Sequence, residues 1–317
     1  MNSDTGRLIK GTIQLADPKI WMMSYIPFTL GLAISVLIGG ARITGWDVLW
    51  ILAAYAALGL IETGKNAINE YTDYISGVDT GVDEEHRTPF SGGKKTITSG
   101  LLNLRQVLWI TVLSFMGAGA IGIVLVIFKE VWILPVGIAG ILFSLLYSVP
   151  PVRLCYRGWG ELLVGITFGP LVLSGAYVMM TGRIDVLPVL ISVPLGLVIA
   201  NILIINEYPD LEADKGGGKR NLVVRLGKRS ASKVYGIIFI FIYMFYAAAA
   251  LWDMNPVWLL PLVTVPMAYR AYTNSILHAD EIRLLTKSNI LTIQSFQLTG
   301  LLLLVATVLT YLFRAIL

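Results

Sequence analysis

The chain predicts an all-α, polytopic membrane protein, and three observations carry that prediction. Hydrophobic residues make up 56% of the 317 residues and charged residues only 14%, with a mean hydropathy of +0.74. Apolar runs close to the roughly 20 residues that cross a bilayer recur nine times. Finally, Lys and Arg fall almost wholly on alternate connections, as they do when one face of a membrane protein stays in the cytoplasm.

Residues 1–17 are polar and carry no apolar segment followed by a cleavage site, so the first span is expected to serve as its own insertion signal. Spans are expected near 20–40, 46–69, 106–128, 131–149, 161–181, 187–206, 232–252, 256–273 and 290–313. Trp21, Trp46, Trp50, Trp132 and Trp252 lie near their ends, where aromatic side chains anchor helices at the interface. Most connections are short. Two are long and polar, at about 70–104 and 207–230, and long ordered loops tend to carry function. The chain reads as one transmembrane domain, 1–317, with these two loops on its cytoplasmic side.

Of the 24 Lys and Arg, 19 fall on the side of the N-terminus, Lys65 lies within a span, and only Arg42, Lys129, Arg183 and Arg314 fall on the other side. The N-terminus and both long loops are therefore expected in the cytoplasm and the C-terminus opposite, as an odd number of spans requires. The net charge of +4 follows from this topology, and no basic domain stands ready for nucleic acid. One cysteine, Cys155, excludes an intrachain disulfide. His86 and His278 are too few and too far apart for a histidine-based metal site.

One phrase occurs twice: Asn69-Glu70-Tyr71-Thr72-Asp73 and Asn206-Glu207-Tyr208-Pro209-Asp210, 137 residues apart. Each stands at the exit of an apolar span, and Asp79 and Asp214 follow. Four spans separate the copies, so both reach the same face, contrary to an inverted-repeat transporter. Asn69 and Asp73 share a helical face. Asn206, Asp210 and Asp214 would share one only if their helix continued through Pro209, which breaks or kinks a helix; Gly77 is expected to end the first helix before Asp79. Carboxylates beside amide carbonyls are hard oxygen ligands suited to Mg²⁺.

Two acidic edges facing each other could hold Mg²⁺ ions that neutralise a departing diphosphate. Arg87, Lys94, Lys95, Lys215 and Lys219 stand close by to grip its oxygens, although positive-inside topology alone would also put them there. The glycines around 92–93 and 216–218 do not make a Walker A loop: Thr88 replaces its first glycine and Lys95 its Ser or Thr. Asn66, one turn before Asn69, is a candidate cavity residue; Asn201, within a span, either lines the cavity or bridges helices. A diphosphate head with a long hydrocarbon tail, an isoprenyl diphosphate, suits both the polar loops and the membrane-embedded part.

These paired motifs and nine spans resemble the UbiA superfamily of intramembrane prenyltransferases over essentially the whole chain. The wording Asn-Glu-Tyr-x-Asp-Tyr-x-Ser-Gly-Val-Asp, with Gly160-Glu161 and Phe168-Gly169-Pro170, is most similar to 1,4-dihydroxy-2-naphthoate polyprenyltransferases of menaquinone synthesis. The resemblance implies a UbiA-type helical bundle around a central cavity. It further implies Asn69, Asp73, Asp79, Asn206, Asp210 and Asp214 as the Mg²⁺ set, with Asp73 and Asp210 central to catalysis. The family's Tyr-x-x-x-Lys pattern falls on Tyr147, with Arg153 six positions on as the basic residue. Gly77 occupies the slot where the commonest family spacing puts a third carboxylate.

The implied reaction is ionisation of an allylic diphosphate in a water-poor cavity, with the Tyr147 ring facing the cation unless that tyrosine is only an interfacial belt residue. An electron-rich aromatic ring then attacks. Other acceptors of the superfamily (4-hydroxybenzoate, a glycerol-based lipid precursor, a chlorophyllide) and a terpene cyclase stay open. So does a cation-coupled transporter, which should place polar groups through the midplane.

Overall fold

The computed structural model describes residues 3–78, 88, 90, 91 and 93–316. All regular structure among them is helical: α1 (Ser3–Ala16), α2 (Met22–Leu37), α3 (Gly45–Ser76), α4 (Leu104–Phe128), α5 (Ile133–Ser148), α6 (Gly160–Ile166), α7 (Val172–Thr181), α8 (Val186–Asn206), α9 (Leu211–Gly216), α10 (Leu222–Leu226), α11 (Lys228–Trp252), α12 (Val265–Leu277) and α13 (Ile282–Ile316).

Among the described residues, seven helical segments are long and apolar enough to cross a membrane: Asp4–Leu37, Gly45–Ser76, Leu104–Phe128, Gly160–Thr181, Val186–Asn206, Lys228–Trp252 and Ile282–Ile316. The remaining two of the nine expected spans are different objects. The expected 131–149 span is the 16-residue α5. The expected 256–273 span is a 3-10 stretch, Pro256–Thr264, continued by α12. Pro261, inside the stretch, and Pro266, just after it, lack the N–H groups that would bond back to residues 257 and 262 in an α-helical ladder, in keeping with the tighter stretch.

The polar N-terminal stretch is helical as well. Ile9 and Ile13 stand four apart in α1 and both face the cavity, an amphipathic spacing inside residues whose overall polarity conceals it. At the other end of α3, Gly77 takes φ 84 and stops the helix, because a left-handed residue cannot extend the right-handed ladder. Helix α8 stops at Asn206, three residues before Pro209, and the chain turns before α9 resumes.

Helix α8 is the inner strut, packed against α6, α11 and α13, while α2 packs on α7, α3 on α4, and α13 on α12. The main core joins Leu195, Val198, Ile199 and Ile202 of α8 to Tyr235 and Phe239 of α11 and Phe296 of α13. Its contact with the α6–α7 rod depends on glycine. A Cβ on Gly196 would lie 2.0 Å from the Gly165 carbonyl oxygen, and one on Gly169 only 2.4 Å from that of Ser192. The backbones touch there, as small residues permit at membrane helix interfaces. Between α6 and α7 the residues Thr167–Leu171 form a π-helical turn containing Pro170, whose missing N–H would interrupt an α-helical ladder.

Candidate active site between the two acidic motifs

A cavity of about 1000 Å³ opens among α1, α3, α5, α6, α8 and α13. One stripe of α3, residues 62, 65, 66, 69, 70 and 73, borders it, at the three- and four-residue spacing that keeps side chains on one helical face. Across the cavity stand Asn206, Glu207, Asp210 and Asp214, contributed by the end of α8, the following turn and α9. The second motif thus reaches the same space as the first without being one helix. Apart from Glu62 and Lys65 on α3, the remaining walls are largely apolar, with Met23, Val164, Phe168, Ile199, Ile202 and Ile293.

The first motif is held from several directions. Asn69 Nδ2 donates to Asp73 Oδ2 at 3.2 Å, and the Tyr156 hydroxyl donates to Asp73 Oδ1 at 2.7 Å. Glu70, buried, accepts from the backbone N–H groups of Thr96 and Ile97 at 2.6 and 3.0 Å and from the Thr96 hydroxyl at 2.6 Å. It therefore pins the first polar loop to α3. Lys94 of that loop reaches Asp17 at 2.5 Å, while Gln14 of α1 donates to the Lys94 carbonyl. Asn66 bonds the Ala16 carbonyl at the end of α1.

The second motif is tied differently. Asn289 of α13 donates to Asn206 Oδ1 at 2.7 Å, and Asn221 donates to Asp214 Oδ2 at 2.6 Å. Lys219 joins the two motifs: its Nζ stands 3.5 Å from Asp73 Oδ2 and 3.4 Å from Asp214 Oδ1. Burial alone would discharge Lys219, but the Asp73 and Asp214 charges outweigh it and hold the ammonium well above its usual pKa. Burial, opposed by Lys219, raises the Asp214 carboxyl. Burial also raises Glu207 strongly, with the charge of Glu161 adding to it. For Tyr156, burial and then the Asp73 charge hold the phenol protonated, in the form that donates.

Of the residues expected at the site, Asn66, Asn69, Asp73, Lys94, Lys95, Tyr147, Asn206, Asp210 and Asp214 all border the cavity. Asp79 and Arg87 lie outside the described residues. Three expectations are corrected. Asn201 is fully buried and donates to the Tyr235 carbonyl at 3.1 Å, so it bridges α8 to α11 and does not line the cavity. Lys215 is exposed in α9 and Lys219 stands at the site, because Gly218 at φ 76 turns the chain back after the short helix. Arg153 stacks its guanidinium 4.8 Å over the Tyr156 ring and is not among the cavity residues.

Sequence reasoning missed two contributors. Tyr156 follows a polar turn with no recurring pattern to flag it. Gln14 sits in the stretch read only as polar, where the Ile9–Ile13 spacing was the available signal.

Mg²⁺ fits this donor set. The cavity mouth offers hard oxygen donors from Asp73, Asp210, Asp214 and the two asparagines, and among the described residues that line the cavity there is no histidine or cysteine. No three His, Cys, Asp or Glu side chains among the described residues form a closed cage. Mg²⁺ is ordinarily held by one or two carboxylates together with substrate phosphates and waters, so an open arrangement agrees with it.

The model of the UbiA prenyltransferase family matches residues 24–290. The 1,4-dihydroxy-2-naphthoate octaprenyltransferase of Bacillus subtilis is 25% identical over 259 residues, covering 81% of this chain and 79% of that protein. The UbiA prenyltransferase domain-containing protein 1 of Dictyostelium discoideum is 27% identical over 252 residues, covering 76% and 74% respectively. Among solved structures, a UbiA homolog from Archaeoglobus fulgidus bound to GPP and Mg²⁺ is similar in fold, with a TM-score of 0.65 at 15% identity, covering 93% of this chain and 99% of that one. The family model covers most of the chain, and this chain belongs to the UbiA prenyltransferase family.

Proposed function

We propose that the chain transfers an isoprenyl group from a prenyl diphosphate to an aromatic acceptor, 1,4-dihydroxy-2-naphthoate, in menaquinone synthesis. The observation that carries this reading is a single cavity with both acidic motifs at its polar end and apolar walls beyond them. That division matches a substrate with a diphosphate head and a hydrocarbon tail. The naphthoate prenyltransferases among the relatives support the acceptor.

In this reading Asp73, Asp210 and Asp214, with the amide oxygens of Asn69 and Asn206, hold Mg²⁺. When bound, Mg²⁺ supplies positive charge that stabilises the departing diphosphate. Lys94, Lys95 and Lys219 bind the remaining phosphate oxygens; Lys219 already stands between the motifs. The allylic C–O bond breaks with its electron pair on the diphosphate, and the acceptor ring forms the new C–C bond. The ring regains aromaticity by releasing a proton or carbon dioxide from the attacked carbon. Apolar side chains keep water from the cation, and the partly buried Tyr147, which lines the cavity, presents its ring to it. The N-terminus and both motifs would face the cytoplasm, as the Lys and Arg bias indicates.

The test is a mass-spectrometric prenylation assay on purified protein in nanodiscs, with Mg²⁺, prenyl diphosphates of several lengths and a panel of acceptors. A prenylated naphthoate product lost with EDTA is the expected result. Product on 4-hydroxybenzoate alone would correct the acceptor, and release of diphosphate without any prenylated acceptor would favour a cyclase.

A further inference from the structure

One ion pair in the cavity has no part in the chemistry above. Glu62 and Lys65 belong to the cavity-facing stripe of α3, one to two turns deeper than Asn69. By helical rise Lys65 lies about 6 Å and Glu62 about 10 Å farther along the axis. Lys65 Nζ donates to Glu62 Oε2 at 2.6 Å, with the Glu62 side chain only 5% exposed and that of Lys65 21%. The ammonium also sits 4.6 Å from the centre of the Phe168 ring.

A role in stability explains this pair poorly. Both members are on one helix, three residues apart, so their bond ties no two elements together. Such pairs contribute little even on an exposed helix, whereas taking two charges out of water is costly. Ionisable side chains kept inside a membrane span generally face a substrate path. Among the described residues Glu62 is the one hydrogen-bond acceptor for the Lys65 ammonium, which leaves two of its three N–H bonds for a ligand.

The surroundings define that ligand. One and two turns along α3 from Lys65 lie Asn69 and Asp73, part of the acidic motifs that repel anions unless cations intervene; the Phe168 ring lies beside the ammonium, and Val164, Met23, Ile199 and Ile202 add apolar lining to the same cavity. A slot of apolar side chains with one charge-stabilised ammonium at its edge is matched by a flat aromatic ring bearing a carboxylate. With a diphosphate held at Asn69 and Asp73, an acceptor bound at Lys65 would stand about 6 Å farther along α3, on the same face of the helix and in the same cavity.

We infer that the Glu62–Lys65 pair is the acceptor subsite, in which Lys65 binds the carboxylate of an aromatic acid and Glu62 holds that lysine in place through the hydrogen bond from its ammonium. This rests on the proposed transfer to an aromatic acceptor and adds that the acceptor is selected for its acid group. Lys65 is a specificity-determining residue; Glu62 positions it.

The experiment compares binding of 1-hydroxy-2-naphthoate and 1-naphthol, stable probes that differ in the carboxylate alone, to the full-length protein in detergent by equilibrium dialysis. Wild type should bind the acid about tenfold more tightly, the value of one charge-assisted hydrogen bond. Lys65→Met should abolish that difference and leave 1-naphthol binding and the affinity for Mg²⁺ with inorganic pyrophosphate unchanged. Lys65→Arg, which keeps the charge, should retain most of the preference and guards against misfolding of the Met variant. Equal affinity of wild type for the two probes, a preference that survives in Lys65→Met, or parallel loss of both probes and of pyrophosphate binding would overturn the inference. Failure of the naphthoate assignment reads out separately, as a preserved preference for the acid without prenylated 1,4-dihydroxy-2-naphthoate.

Discussion

Lys219 Nζ lies 3.5 Å from Asp73 Oδ2, so the second polar loop reaches across the cavity mouth to the first acidic motif. The same ammonium is 3.4 Å from Asp214. One cation of the chain therefore holds together two groups of carboxylates that would otherwise repel each other.

Replacing that cation should show this directly. Lys219→Met leaves Asp73 and Asp214 without their shared counter-charge, and losing one partner of a buried pair costs about 3 kcal/mol. Thermal unfolding in EDTA should occur at lower temperature than in wild type, and Mg²⁺ with inorganic pyrophosphate should restore most of the difference. An unchanged melting temperature in EDTA would count against the bridge.

Asp73→Asn keeps the shape and the Asn69 and Tyr156 neighbourhood but removes a carboxylate charge. Prenyl transfer should fall by roughly a hundredfold or more, the scale seen when one electrostatic stabiliser of a developing charge is removed, while the melting temperature stays near that of wild type. Turnover at the wild-type rate would remove Asp73 from the mechanism.

Glu207 sets a pH dependence. A carboxyl whose native pKa is raised binds more protons folded than unfolded, so stability falls as pH rises from the unfolded value, about 4.3, through the raised native one. Burial and the Glu161 charge raise Glu207 in this way. Glu207→Gln should flatten the decline in melting temperature above pH 4 and raise it by about 2–4 °C near pH 8, read by scanning fluorimetry over pH 4–9 without metal.

The contact of α8 with the α6–α7 rod has no room for a methyl group, since a Cβ on Gly196 would meet the Gly165 oxygen at 2.0 Å. Gly196→Ala should destabilise the protein by about 1–3 kcal/mol. Gly216→Ala, where nothing lies within 4 Å of the new atom, is the neutral control. Unfolding in a graded SDS titration would compare them.

Much of the site was legible because the chain repeats itself. The paired Asn-Glu-Tyr-x-Asp phrases at span exits forecast that Asn69, Asp73, Asn206, Asp210 and Asp214 would meet, and all five border one cavity. Short-range signals also sufficed at Gly77 and Pro209, since backbone chemistry decides where those helices stop. What escaped depended on long-range geometry. Lys215 and Lys219 look alike in sequence, and only the turn at Gly218 decides which of them returns to the motifs. Asn201 lies among apolar neighbours whether it faces a cavity or a helix, and the Tyr235 carbonyl that takes its hydrogen bond is 34 residues away. Of the nine expected spans, seven are matched by helical segments of spanning length among the described residues; at 256–273 hydropathy registers the apolar run but is blind to the N–H groups that its prolines lack.

Helix α5, with its 16 residues, is about 24 Å long, while the hydrocarbon layer of a typical bilayer is about 30 Å thick. Lipids beside it must therefore shorten or tilt their tails to match, at a cost of fractions of a kcal/mol per Å. This helix carries Tyr147 to the cavity, so a bilayer thinned to match it would be thinned next to the reaction chamber. Acyl chain length becomes a setting of the enzyme, with thin membranes favouring the geometry that α5 already has and thick ones pulling against it.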